Sequence, residues 1–275
     1  MQPADGLPGL AGLDTVRDQL EAWLAVVRAE RARSQVGMQV HRPAWKNLIF
    51  AGGSGAGKSR AAAAVAAAYR EARILPGGTV YEVGSASLVG STARETGELV
   101  HLAADRAMGR VLMIAGADAW NSLPDGGLSV LRTLYAELSL VRHDLAVILA
   151  GDGKRLGEVL RAHPPLTARF SVVIEFPGYS PGQLADVFGA LAAEAGFALG
   201  PGTADKAARV LAEAVRQGNG GGRLAVELLR QSAAAQALRI TGAEVPPEVL
   251  EAGDVPDVLT PRQLADEAER PGLYL

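Results

Sequence analysis

The chain reads as an α/β protein, a five-stranded parallel sheet with helices on both faces followed by a small all-α domain. Three observations predict it. Short apolar runs alternate with stretches of helical periodicity as far as Pro177, the pattern of a parallel sheet covered on both sides. A glycine-rich turn joins the first of those runs to a helix start. From 181 to about 239 only helical periodicity remains, with no strand candidate, which sets a helical domain apart from the sheet.

An amphipathic helix comes first. From Leu13 the apolar residues Val16, Leu20, Leu24 and Val27 recur at helical spacing among Arg17, Asp18, Glu21 and Arg28, giving one buried stripe and one solvated face. A polar connector closes at Pro43, and NLIFAGGSGAGKS then reads as buried strand, turn and helix start. The alanine-rich RAAAAVAAAYREA is low in complexity, and its small side chains let that helix lie close on the sheet. TVYEV (79–83), RVLMIAG, DLAVILAG (144–151) and SVVIEF (171–176) supply the other strands, with helices over 95–107 and around 128–140 between them. QGNGGG interrupts the later helical region, and the Pro- and Asp-rich residues from about 246 predict a short helix with a loose tail. The resulting divisions are 1–46, an N-terminal helical segment; 47–178, the sheet core; 179–245, the helical domain; and 246–275, the tail.

Composition narrows the function classes. A chain of 275 residues holds one large domain or a core with a smaller companion. Its formal net charge of −3 leaves no basic footprint, so no nucleic-acid partner is expected. There is no cysteine, which excludes disulfides and thiolate metal sites and fits a reducing compartment. The start, MQPADGLPGL, lacks a basic stretch followed by an apolar core and predicts no export signal. The longest run of small apolar residues, 61–69, falls far short of the roughly 20 that a bilayer span needs. The expected location is the cytoplasm, without membrane insertion.

Gly52-Gly53-Ser54-Gly55-Ala56-Gly57-Lys58-Ser59 matches G-x-x-x-x-G-K-[ST] in full, after a strand and before a helix, which is the context of a phosphate-binding P-loop. Glycines let backbone N–H groups curl around phosphate oxygens, and the helix N-terminus, continuing into Arg60, adds a favourable dipole. Lys58 is placed to reach the β- and γ-phosphates, and the Ser59 hydroxyl to ligate Mg²⁺. The cofactors implied are ATP or ADP and Mg²⁺. Hydrolysis asks for more: an acid at the end of a neighbouring strand to hold the magnesium, and a group to position the attacking water. The strand VLMI ends in Ala115-Gly116, which carry no oxygen side chain. Asp118, displaced by two or three residues and expected to project from the loop, and Asp152, just past the next strand, are either substitute acids or ordinary solvated loop residues.

The segments LPGLAGLDTVRDQL, LIFAGGSGAGKS, LVG with a following threonine, HPPLTARFSVVIEFPGYS and GGGRLAVELLRQSAAAQALR occur in that order over about residues 7–239. Together they resemble the CbxX/CfqX branch of the AAA+ ATPases, which includes red-type rubisco activases, sporulation protein K-like proteins and the cytosolic ATPase of type VII secretion. The resemblance implies a P-loop NTPase fold with a helical lid, and a hexameric ring with active sites between subunits, built from copies of the chain or from a homologous AAA+ subunit and acting on a protein client. It also implies that Gly12 and Leu13 line the adenine pocket, that Arg169 is an arginine finger presented to a neighbour's γ-phosphate, and that Arg223 senses nucleotide from the lid; fixed guanidinium groups suit charge spread over phosphate oxygens.

Departures from the family pattern weigh more. Ala115-Gly116 stand where the family strand ends in Asp-Glu, Thr167 replaces a second arginine, and Leu88-Val89-Gly90-Ser91-Thr92 lacks the aromatic that family rings point into their pore. Three functions compete on this pattern. The first is an ATP-binding ring subunit with weak or absent hydrolysis, regulatory or scaffolding, whose Arg169 completes the site of a competent neighbour. The second is an active remodelling ATPase using Asp118 or Asp152, and the third a P-loop kinase or other phosphoryl-transfer enzyme, which the late Arg223 fits less well. The first predicts that no carboxylate of this chain stands beside Ser59 and the γ-phosphate position; one placed there removes the case for a disabled subunit.

Overall fold

The computed structural model describes residues 10, 12–38, 46–140, 144–170, 172–217, 221–241 and 246–259. Pro43, the residues 218–220 of the glycine cluster, the opening 1–9 and the tail 260–275 lie outside the described residues. The chain divides between Pro177 and Gly178 into two compact units, with residues 11–13 grouped in the second.

The first unit opens with α1 (Asp14–Gln35), whose Val16, Leu20, Leu24 and Val27 are all buried. It continues through β1 (Leu48–Gly52), α2 (Lys58–Glu71), β2 (Val80–Gly84), α3 (Ala93–Arg106), β3 (Val111–Ala115), α4 (Leu128–Ser139), β4 (Ala146–Gly151), α5 (Gly153–Arg161), α6 (Pro164–Thr167) and β5 (Val172–Phe176). The five strands form one parallel sheet in the order β2-β3-β4-β1-β5. Strand alternation sorts the core. Leu112, Ile114, Val147 and Leu149 pack with Val100, Ala104, Leu131 and Leu134 of α3 and α4. The alternate residues face the other side, where α2 lies against β2 and β3 and buries Ala61, Ala62, Ala64, Val65, Ala66 and Ala68. Small side chains there permit the close approach that the sequence implied. Since β1 sits between β4 and β5 while α2 leads the chain to the edge strand β2, the phosphate motif lies at the carboxyl end of a strand where the order reverses, the usual place for a ligand in an open α/β sheet.

In the second unit, α7 (Pro181–Glu194) starts from a reciprocal cap between Ser180 and Gln183, and α8 (Thr203–Arg216) and α9 (Arg223–Ile240) follow. Leu184, Val187, Phe188, Leu211, Ala225 and Leu228 form its core. Two expectations need correction here. The unit is not purely helical, because β6 (Ala198–Leu199) pairs in parallel with β7 (Val249–Leu250). The segment after 246 supplies that strand and turns, with no helix among its described residues. Strands of two residues are too short to show any alternation. What holds the second strand in place is tertiary: Arg239 binds Asp254 through two hydrogen bonds of 2.8 Å and donates to the Val249 carbonyl at 3.1 Å.

Candidate functional site

At the end of β1 the backbone leaves the sheet and turns through residues 53–57 into α2. Gly55 and Gly57 have φ of 74° and 90°, a left-handed conformation that glycine adopts without strain and that lets successive N–H groups converge on an anion. Gly52 is required for another reason. A Cβ there would stand 2.6 Å from the Cβ and carbonyl oxygen of Phe176 on the adjoining β5. Ala56 is buried and anchors the turn, whereas Gly53 and Ser54 are exposed. Lys58 and Ser59 begin α2, with Arg60 half-buried behind them. The Lys58 ammonium donates to the carbonyls of Gly52 at 2.7 Å and Gly53 at 2.6 Å, so it lies across the turn.

The Ser59 hydroxyl donates to Glu82 Oε1 at 3.1 Å. Alternation along β2 explains the encounter: Tyr81 and Val83 pack on the core shared with α3 and α4, leaving Glu82 on the side where α2 lies. At Ser59 the expectation fails: a carboxylate of this chain stands beside the hydroxyl, which counts against a disabled subunit. Sequence reasoning missed Glu82 because the two residues are 23 positions apart and no motif spacing links them. A hydroxyl beside a carboxylate fits magnesium arriving with a nucleotide, since that ion keeps several waters and phosphate oxygens and needs only one or two protein ligands. Among the described residues no cluster of three or more His, Asp or Glu offers a self-contained metal cage.

Two strands away, β3 does end in Ala115, in register with Gly84 and Ala150, and Gly116 follows at φ 70°. Asp118 does not project from a loop. It sits in a 3-10 turn (Ala117–Ser122), only 16% exposed, 3.8 Å from the Arg155 guanidinium, with its carboxylate in the space a side chain at Gly151 would need. Trp120, 1% exposed, fastens the same turn to the end of β2 by donating to the Ser85 carbonyl at 3.1 Å. Asp152 is the N-cap of α5, accepting from the Arg155 amide at 3.0 Å.

Arg169 lies elsewhere in the unit. Its guanidinium is 5.5 Å from the centre of the Tyr135 ring and donates to Ser139 at 3.2 Å. Asn47 fixes its backbone by donating to the Arg169 carbonyl at 3.1 Å while accepting from the Val147 amide at 2.9 Å. Thr167 donates its hydroxyl to the Leu160 carbonyl at 2.6 Å, closing the turn between α5 and α6. Thr92 caps α3 through the Glu95 amide at 3.1 Å while the Glu95 carboxylate accepts from the Ser91 amide at 2.7 Å. In the second unit, Gly12 has φ 72° and would bring a Cβ within 2.8 Å of the Gln183 carbonyl, Leu13 is buried, and Arg223 is the exposed first residue of α9.

No model of a known protein family matches the chain. Individual relatives do. The ESX-1 secretion system protein EccA1 of Mycobacterium tuberculosis is 30% identical over 247 residues, covering 83% of this chain and 42% of EccA1. Stage V sporulation protein K of Bacillus subtilis is 27% identical over 187 residues, covering 66% of this chain and 56% of that protein. The chain thus spans well under two thirds of the length of these relatives. Among solved structures, the FIGL-1 AAA domain in complex with ADP superposes with a TM-score of 0.60 at 16% identity, over 92% of this chain and 82% of that one. A Thermotoga maritima RuvB mutant gives 0.59 at 16% identity, over 91% and 70%. With the sheet order and phosphate turn already established, the kinship with EccA and sporulation protein K places this chain in the AAA+ ATPase family.

Proposed function

We propose that the chain is a nucleotide-binding subunit of an AAA+ ring that takes ATP or ADP with Mg²⁺ and turns it over slowly or not at all, serving a regulatory or scaffolding role. The observation that carries this reading is the intact phosphate turn set against a β3 tip made of Ala115 and Gly116. The amides of residues 52–57 and the Lys58 ammonium bind phosphate oxygens, and Ser59 offers its hydroxyl to the metal. Magnesium, when bound with the nucleotide, neutralises phosphate charge. At the β3 tip no side chain takes a proton from an attacking water, and losing a positioned base lowers a rate by roughly 10²–10⁴. Binding needs none of that.

On this reading Gly12 and Leu13 line the adenine pocket, and Arg223 is the lid arginine that senses nucleotide. Arg169 serves a neighbouring subunit's γ-phosphate, either in a ring of identical chains or beside a competent homologue, with six subunits the family expectation. Thr92, engaged as a helix cap, offers no aromatic grip on a threaded polypeptide, which favours regulation of a protein client over its unfolding. The chain works in the cytoplasm.

A second reading, an active ATPase, has two observations in its favour: Glu82 stands beside the Ser59 hydroxyl, against what the first reading predicts, and Asp118 is folded against β4 at the end of the sheet where nucleotide would bind. Measuring binding of a fluorescent ATP analogue and release of phosphate on the same purified protein separates the two. Binding without turnover is the expected result. Brisk turnover abolished by Lys58→Ala and by Asp118→Ala establishes the active enzyme instead.

A further inference from the structure

We infer that Glu82 is the carboxylate that organises the nucleotide's magnesium, supplied from the edge strand β2 in place of an acid on β3. The inference rests on the reading of residues 52–59 as an ATP site and adds a residue that the family pattern does not name.

Three features on β2 and β3 carry it. Glu82 accepts the Ser59 hydroxyl proton at 3.1 Å. A serine hydroxyl that donates its only hydrogen to a carboxylate keeps its lone pairs for a cation, and P-loop proteins hold Mg²⁺ with just such a pairing of a hydroxyl and an acid. Next, the places where a competing side chain could stand are empty of one. Ala115 carries only a methyl group, and its register partner Gly84 has no side chain and nothing within 4 Å of where a Cβ would be. Finally, Glu82 is exposed, with Met113 as its register neighbour on β3, so strand pairing fixes its backbone while its carboxylate meets solvent beside the phosphate turn.

The sign of the effect distinguishes this role from simple structural support. Without magnesium, a carboxylate beside the turn repels a triphosphate; with magnesium, it draws the metal complex in. Titrating a fluorescent ATP analogue against wild type and Glu82→Gln, with magnesium and with chelator, reads both. In Glu82→Gln, affinity without magnesium should hold or rise, while the gain conferred by magnesium shrinks by roughly 10–100-fold, the range for losing a carboxylate that supports a metal. Manganese paramagnetic resonance should show the same loss of ATP-dependent Mn²⁺ binding. Ser59→Ala should lose the gain too, and the double variant should lose little more, because one pair is being broken. Glu98→Gln, on the exposed face of α3, serves as control. A magnesium gain retained in Glu82→Gln, or additive losses in the double variant, overturns the assignment while leaving the ATP site standing. If the wild type binds no ATP under either condition, the site reading and the Glu82 assignment fall together.

Discussion

The ends of β1 and β3 point the same way in one sheet and hold very different equipment. At β1 the phosphate turn is complete, and most of its chemistry is backbone: positive φ at Gly55 and Gly57, a steric demand at Gly52, a helix N-terminus behind. At β3 the corresponding tip is Ala115, a left-handed Gly116 and a turn fastened by Trp120. A phosphate turn works through main-chain geometry that the fold itself maintains, whereas hydrolysis depends on particular carboxyl groups, which a structure can lack at no cost to its core. On the function proposed, capturing a nucleotide and cleaving it are physically separable.

Restoring the acids should show the largest effect. Ala115→Asp with Gly116→Glu should raise ATP turnover by roughly 10²–10⁴, the usual worth of a positioned base, read by phosphate release. Because Gly116 has φ 70°, the glutamate should also cost about 1–2 kcal/mol of stability, visible as a lower melting temperature. Unchanged turnover in a variant that still binds ATP breaks the comparison, since the missing side chains would then not be what limits the reaction.

Trp120→Ala comes next. If the β3 turn is chiefly structural, emptying this site, 1% exposed, should destabilise the protein by about 3–5 kcal/mol in urea unfolding. A loss below about 1 kcal/mol would show that the turn is loosely held and free to rearrange around a ligand. The smallest effect is expected from Asp152→Ala, a lost helix cap worth about 0.5–2 kcal/mol, with ATP affinity unchanged by calorimetric titration. A clear fall in affinity would move Asp152 into the nucleotide site and sharpen the contrast differently.

Much of this is legible in the sequence. The spacing in GGSGAGKS, the strand before it and the helix after it identify the phosphate turn, because the motif is local and its parts meet within a single strand-turn-helix. That β3 ends in Ala115-Gly116, with no acid, is equally readable. Asp152 could have been recognised as a cap, standing directly before a helix and three positions from the amide it binds. Asp118 could not: its fold-back depends on Gly151 of the neighbouring strand leaving room.

The sequence by itself determined the alternating strands and helices of the first unit, the phosphate turn, and the want of a carboxylate on β3, all of which follow from periodicity or from neighbours along the chain. Tertiary structure alone decided that Glu82 meets Ser59, that Asp118 lies over β4, and that two-residue strands close the second unit. Those outcomes depend on strand order, register and the path of α2 over the sheet, which bring together residues whose separation in sequence carries no signal.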